Sequence, residues 1–203
     1  MDESDLTARD MGTDIMWQDL TDVFTPPVKS LAEVLAQPPQ AGNRGSTAPI
    51  VVIYGAAERQ MWKHAKTETR REHGGILLGE AYTDTSGGHF VLVKEAVPAA
   101  ATEGSATHLQ FRPESWHLVW ARLDATKELC IVGWYHTHPR LGVFLSGTDL
   151  KTQRLYFSLP WQIAVVIDPV ADEIGYFYGT SGTRLQRICR LSETDVPQHR
   201  AEI

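Results

Sequence analysis

Cysteine is scarce in this chain: Cys130 and Cys189 are the two in 203 residues. Two cysteines do not make a disulfide scaffold, and each sits in an apolar run, "ELCIVGW" and "LQRICRL", where a reduced thiol packs as a small hydrophobe. Long apolar runs are missing as well. None approaches the roughly 18 residues a membrane-spanning helix needs, which argues against a membrane protein. A basic excess is also missing, with 19 Lys+Arg against 25 Asp+Glu and a formal charge of -6. No basic cluster interleaved with aromatics appears, and a nucleic-acid binder would need such a face. The start, "MDESDLTARDMGTDIMW", is acidic and lacks the positive opening and apolar stretch of a signal peptide. The expected compartment is the cytoplasm.

What is present is the composition of a globular domain, 42% hydrophobic and 22% charged. The length suits one sizeable core plus an appendage. The stretch "QPPQAGNRGSTAP", 37–49, is rich in proline, glycine and small polar residues and reads as a linker or surface loop. The expected division is therefore an N-terminal extension and linker over 1–49, one domain over 50–195, and a polar tail over 196–203. Within the extension, Leu31, Val34 and Leu35 predict a short amphipathic helix. Trp17, Leu20 and Phe24 lie at near-helical spacing, which suits either a helix that docks a partner or packing on the domain.

From residue 50 the pattern predicts a mixed α/β domain, one sheet flanked by helices. "PIVVIYG", "HGGILLGEAY", "HFVLVKEAVPA", "THLQF", "CIVGWYHTH", "WQIAVVIDP" and "EIGYFYG" read as strands. "AAERQMWKHAKTE", "RPESWHLVWARLDATK" and "GTDLKTQRLYFS" read as helices, the second with Trp116, Val119, Trp120 and Leu123 on one stripe. The C-terminal "TRLQRICRLSETDVPQHR" begins as a strand and frays into the tail.

The chemistry gathers in "HTHPRLGVFLSGTD", 136–149. On a strand, residues two apart share a face, so His136 and His138 project together and can both reach one zinc ion. Asp149 is the obvious third ligand, because Pro139 ends the strand and Gly142 eases a turn that brings the chain back. Three protein ligands leave a fourth position open, the catalytic kind of zinc site. Blander readings stand beside this one. A His-x-His pair in a strand is commonly just two polar residues. Ser146 with Asp149 three residues on has the form of a helix capping box, a role compatible with metal binding.

A feature upstream tilts the balance. "REHGGILLGE" carries Glu72 at the start of an apolar strand, with His73 the less favoured candidate for chemistry. Glu72 followed by "HGGILLG", then "GWYHTHP", then seven residues between His138 and Ser146, with Asp149 closing the set, resembles the JAMM (MPN+) metalloprotease motif. "WYHTHP", "FLSGTDLKTQ" and "AVVIDP" look like its deubiquitinating branch. The resemblance covers about residues 50 to 180.

That resemblance implies a single MPN domain of cytidine-deaminase-like fold and a zinc-dependent hydrolase. Its substrate would be the isopeptide or peptide bond at the C-terminus of ubiquitin or a ubiquitin-like protein, in deconjugation or precursor processing. His136, His138 and Asp149 would hold one zinc ion, Glu72 would be the general base, and Ser146 would donate to the oxyanion. A mobile flap over the substrate tail would fall around Gly104. "LKTQRLYFSLPWQIAVV" runs on to the next strand without cysteine or histidine, so a second zinc and strong chain-linkage discrimination are not expected. The compact form looks more like a bacterial or archaeal member, with conjugation-system partners reached through the N-terminal extension. Two alternatives remain: the same chemistry on another amide (sulfur-carrier processing, a cell-wall or phage-tail peptidase), or a non-catalytic scaffold of the same fold.

Overall fold

Near-continuous burial along the strands sets the architecture. The computed structural model describes residues 25–35, 48–99 and 113–192. Among these, eight strands form one mixed sheet: β1 Ile50–Tyr54, β2 Gly74–Thr83, β3 His89–Pro98, β4 Cys130–Thr137, β5 Ile163–Asp168, β6 Glu173–Tyr178, β7 Thr183–Arg184 and β8 Cys189–Leu191. The helices are α1 Leu31–Val34, α2 Gly55–Ala65, α3 Pro113–Ala125 and α4 Gly147–Tyr156. The strand order is β7-β6-β5-β4-β2-β3-β1-β8. β4 and β5 run parallel, as β1 does with β3 and β8, and the remaining pairs are antiparallel.

Both faces of the sheet are covered, so its strands are apolar on both sides. On one face Val51, Ile53, Leu77, Val93 and Val165 pack against Ala57, Met61 and Ala65 of α2. On the other, Ile76, Leu78, Trp134 and Val166 meet Val119 of α3 and Phe157 just beyond α4. The predicted stripe of α3 is seen there: Val119 is buried, and Trp116 and Leu123 pack half-buried beside it. Further along, Val52, Phe90 and Leu92 receive Leu31 and Leu35. Ser30 and Glu33 form a capping box on α1, and Lys29 N–H donates to the Thr83 carbonyl at 3.0 Å. Part of the expected N-terminal extension thus packs on the sheet.

The C-terminal segment departs from the single strand its pattern suggests. β7 pairs with β6 and β8 pairs with β1, at opposite edges of the sheet. Residues 185–188 alone join them, and five extended Cα steps reach about 18 Å. Eight flat strands would hold their outermost members roughly 33 Å apart. The sheet must therefore curl until its edges approach. Glu58 of α2 fastens the two sides, accepting from Arg190 Nε at 2.9 Å on each oxygen and from the Tyr176 hydroxyl at 2.9 Å. Strands of two and three residues are too short to show a period.

Smaller differences concern ends. β2 opens at Gly74, so Glu72 precedes the strand rather than starting it, and α2 stops at Ala65, short of the predicted Glu68. α4 passes to β5 through residues 157–162 with no inserted element. Neither cysteine is in a disulfide, both are half-buried, and burial pushes the Cys130 thiol up to about 12. No helix among the described residues is long and apolar enough to cross a membrane. The segment 1–24 with Trp17, Leu20 and Phe24, the "THLQF" strand, the flap around Gly104 and the tail 196–203 lie outside the described residues.

One glycine permits a bulge near the centre of the sheet. Opposite β2 the register of β4 slips, Leu77 facing Gly133 and Leu78 facing Ile131, a β-bulge that bends the strand. A Cβ on Gly133 would stand 2.0 Å from the Ile163 carbonyl oxygen, which is backbone and cannot swing aside. Gly133→Ala is expected to lower stability by about 2 kcal/mol or more, as overpacking does. A denaturant midpoint equal to that of the wild type would refute this account of the bulge.

Candidate metal centre

β4 delivers the two histidines as its period requires. His136 and His138 share the face of Trp134, and the His136 ring stacks on the Trp134 indole with centroids 4.5 Å apart and an interplanar angle of 11°. Both imidazoles are buried, 1% and 2% exposed. After His138 the chain turns at residues 139–142. Asp168, at the end of β5, organises that turn, its carboxylate accepting N–H groups from Arg140 at 3.1 Å and Gly142 at 3.0 Å. The same carboxylate takes N–H groups from Val170 at 2.9 Å and Ala171 at 3.1 Å.

α4 then supplies the carboxylate. Ser146 is its N-cap: the Ser146 Oγ accepts the Asp149 N–H at 3.3 Å, and the Ser146 N–H donates to Asp149 Oδ2 at 2.7 Å. The capping box read from the sequence is present, and it points the Asp149 carboxylate at the histidines. His136 Nε2 lies 3.3 Å from Asp149 Oδ1, and His138 Nε2 lies 3.4 Å from Asp149 Oδ2. The two Nε2 atoms are 3.1 Å apart.

Glu72 comes to the same place from the other side. β2 pairs antiparallel with β4, with Gly74 opposite His136. A Cβ on Gly74 would sit 2.0 Å from the Tyr135 carbonyl oxygen and 2.9 Å from His136 Cα. A glycine there is what lets the chain pass this close. Thr137 points to the opposite face of β4 from its neighbours. Its Oγ1 accepts the His73 N–H at 3.0 Å, and its own N–H donates to the His73 carbonyl at 2.8 Å. With residue 73 pinned, Glu72 Oε1 lies 3.8 Å from His138 Nε2. His73 itself faces away, with Nε2 2.9 Å from the His64 carbonyl oxygen.

The donor set fits a small divalent cation. Two imidazole nitrogens and one carboxylate oxygen lie within 4.8 Å of one another. Ligands bound at about 2.0–2.1 Å around a tetrahedral ion sit about 3.3–3.4 Å apart; here the two imidazole nitrogens are 3.1 Å apart, and they lie 3.3 and 3.4 Å from different oxygens of the Asp149 carboxylate. Charge-assisted N–H···O hydrogen bonds run shorter, about 2.7–2.9 Å. Protonation states agree with this. Burial lowers the His136 pKa against the opposing pull of Asp149, which favours the neutral imidazole a metal needs. Burial acts to raise the Asp149 carboxyl, but His136, His138 and Ser146 together hold it well below the usual carboxylate range. The group is anionic.

Glu72, His136, His138 and Asp149 are thus brought together, with Ser146 joined through Asp149. Three supporting features escaped the reading of the sequence. Asp168 is one, and the Thr137–His73 tie is another. The third is Gln153, one helical turn after Asp149, whose Oε1 accepts the Trp134 Nε1–H at 2.8 Å. The signals were slight: a polar residue four after Asp149, and an indole two before His136.

Comparison with known proteins agrees with this geometry. The family model described as JAB1/Mov34/MPN/PAD-1 ubiquitin protease matches residues 47–159. The chain is 32% identical over 133 residues to the 26S proteasome non-ATPase regulatory subunit 14 of Caenorhabditis elegans, covering 65% of this chain and 42% of that protein. It is also 32% identical over 126 residues to the COP9 signalosome complex subunit 5 of Drosophila melanogaster, covering 59% and 36%. The chain therefore spans about two fifths of the length of these curated relatives. The solution structure of a Desulfitobacterium hafniense protein shares the fold, at a TM-score of 0.55 and 18% identity, over 74% of this chain and 97% of that one. With the family model spanning more than half of its residues, this chain belongs to the JAB1/Mov34/MPN/PAD-1 family, the one that carries the JAMM motif.

Proposed function

We propose that this protein is a zinc-dependent peptidase that cuts the isopeptide or peptide bond following the C-terminus of a ubiquitin-like protein. The observation that carries the reading is the convergence of His136, His138 and Asp149, with Glu72 Oε1 3.8 Å from His138 Nε2. A complete set of polar residues favours a hydrolase over a non-catalytic scaffold. We propose further that residues 50–195 are the catalytic unit, and that the chain before them reaches conjugation-system partners in the cytoplasm.

His136, His138 and Asp149 would hold the zinc ion. When bound, the ion supplies Lewis acidity, lowering the pKa of a water from 15.7 toward about 7 and polarising the scissile carbonyl. Glu72 sits where a carboxylate can take a proton from the attacking water and hand it to the leaving amine. Ser146 Oγ accepts the capping N–H of Asp149, which leaves its own O–H free to donate to the developing oxyanion. Burial of both rings keeps bulk water away and strengthens each of these interactions. Since α4 runs on to β5 without an inserted element, nothing there enlarges the substrate surface, and one zinc ion is proposed.

Three outcomes are expected. Elemental analysis of the purified protein finds about one zinc per chain, and His138→Ala or Asp149→Asn lowers that content; unchanged stoichiometry in both variants would remove these residues from the ligand set. Glu72→Gln retains the zinc but lowers cleavage of a ubiquitin-like fusion by at least about 10²-fold, at the lower bound for general acid–base catalysis. Chelator abolishes the wild-type cleavage. Activity of Glu72→Gln within tenfold of the wild type would eliminate it as the base. Failure of every Gly-Gly-ended fusion to be cut, with zinc bound, would move the substrate to another amide.

A further inference from the structure

α4 carries one of the three proposed ligands, yet it docks with little apolar packing. Its fully buried side chains are Asp149 and Gln153, while Leu155 and Tyr156 are exposed. Those two buried residues are four apart and so lie on one face of the helix. Apolar contact is non-directional and lets a helix slide or roll at small cost. Hydrogen bonds do not, because they weaken steeply with angle. The seating of α4 against the sheet therefore depends on what Gln153 bonds, together with Phe157 at its C-terminal end.

Gln153 is 0% exposed, and both ends of its amide are engaged. Oε1 accepts the Trp134 Nε1–H at 2.8 Å, and Nε2 donates to the Phe157 carbonyl at 2.8 Å. Trp134, also 0% exposed, lies between this amide and the metal centre. One neighbour of its indole is the His136 ring, 4.5 Å away at 11°. Another is Phe157, stacked at 5.7 Å and 16°. The single bond from Gln153 to Trp134 thus joins the helix that holds the carboxylate to the strand that holds the imidazoles. It also fixes the plane on which His136 rests.

We infer that Gln153 and Trp134 form a positioning pair for the metal centre, setting the distance and orientation of Asp149 relative to His136. This rests on the zinc reading above. Neither residue touches the reacting atoms; both act through the ligands. Groups that orient ligands from behind typically contribute about 10–100-fold in metal affinity.

A merely structural bond and a positioning bond can be told apart. Removing one partner leaves a buried donor or acceptor unsatisfied and costs stability, whereas replacing both by apolar groups of similar shape can be nearly neutral. The double variant Trp134→Phe with Gln153→Leu keeps an aromatic ring on His136 and removes both partners of this bond together, at the cost of the Gln153 bond to the Phe157 carbonyl and of a smaller ring in the core. Its metal-free form is expected to unfold in one cooperative transition, at a midpoint lowered by the smaller ring and the lost bond to Phe157. Its zinc affinity, measured by competition with a chromogenic chelator, is expected to fall about 10–100-fold. An affinity within twofold of the wild type would overturn the inference. If the double variant does not fold, Trp134→Phe alone decides by the same measure and in the same direction. A wild-type protein that binds no zinc in this assay would instead overturn the metal reading itself.

Discussion

A carboxylate and two imidazoles lie buried here, each ring turning its Nε2 toward an oxygen of the carboxylate. Removing an ionised carboxylate from water costs several kcal/mol even after relaxation. Ring N–H groups answer part of that cost, and a cation among the three groups would answer it more fully. A divalent cation satisfies all three at once, and the other polar features of the site are comprehensible as means of holding Asp149, His136 and His138 ready for it. Asp149 is anionic because His136, His138 and Ser146 hold its pKa down against burial. It also lies in the first turn of α4, where the helix dipole favours a negative charge.

The fold delivers these groups by simple means. The period of β4 puts His136 and His138 on one face and turns Thr137 to the other, where it binds residue 73 and steadies Glu72. A glycine where β2 pairs with β4 lets Glu72 arrive from a neighbouring strand. A capping box aims Asp149, and a carboxylate at the end of β5 shapes the loop between them. The sheet curls through its bulge at Gly133, its outer strands fastened by Glu58. Glu72 and His138, 66 apart in sequence, thereby come within 3.8 Å of each other.

Much of the site could be read from the chain because its signals are local. His136 and His138 follow from a two-residue period, and Ser146 and Asp149 from the spacing of a helix cap. Glu72 is different. Nothing local connects it to His138, and it was assigned through the resemblance of "EHGGILLG" and "GWYHTHP" to a family motif. Gln153, Trp134 and Asp168 went unread because their roles exist only in the tertiary contacts. Each is ordinary in its own segment. The main strands and helices were legible from hydrophobic periodicity, apart from their ends. The division of the C-terminal segment into β7 and β8 was not, since pairing with distant strands decides it. Leu31 and Leu35 read as a small amphipathic helix, but the face they cover on β1, β2 and β3 has no trace in their own sequence.

The central claim concerns one ion and its neighbours, and X-ray absorption at the zinc edge addresses it directly. Two imidazoles and one carboxylate predict a four-coordinate shell of nitrogen and oxygen at about 2.0–2.2 Å, with the outer-shell scattering of two histidine rings. That spectrum should lose one ring when His136 is replaced by alanine. A sulfur shell, a six-coordinate oxygen shell, or a spectrum indifferent to His136 would contradict the account.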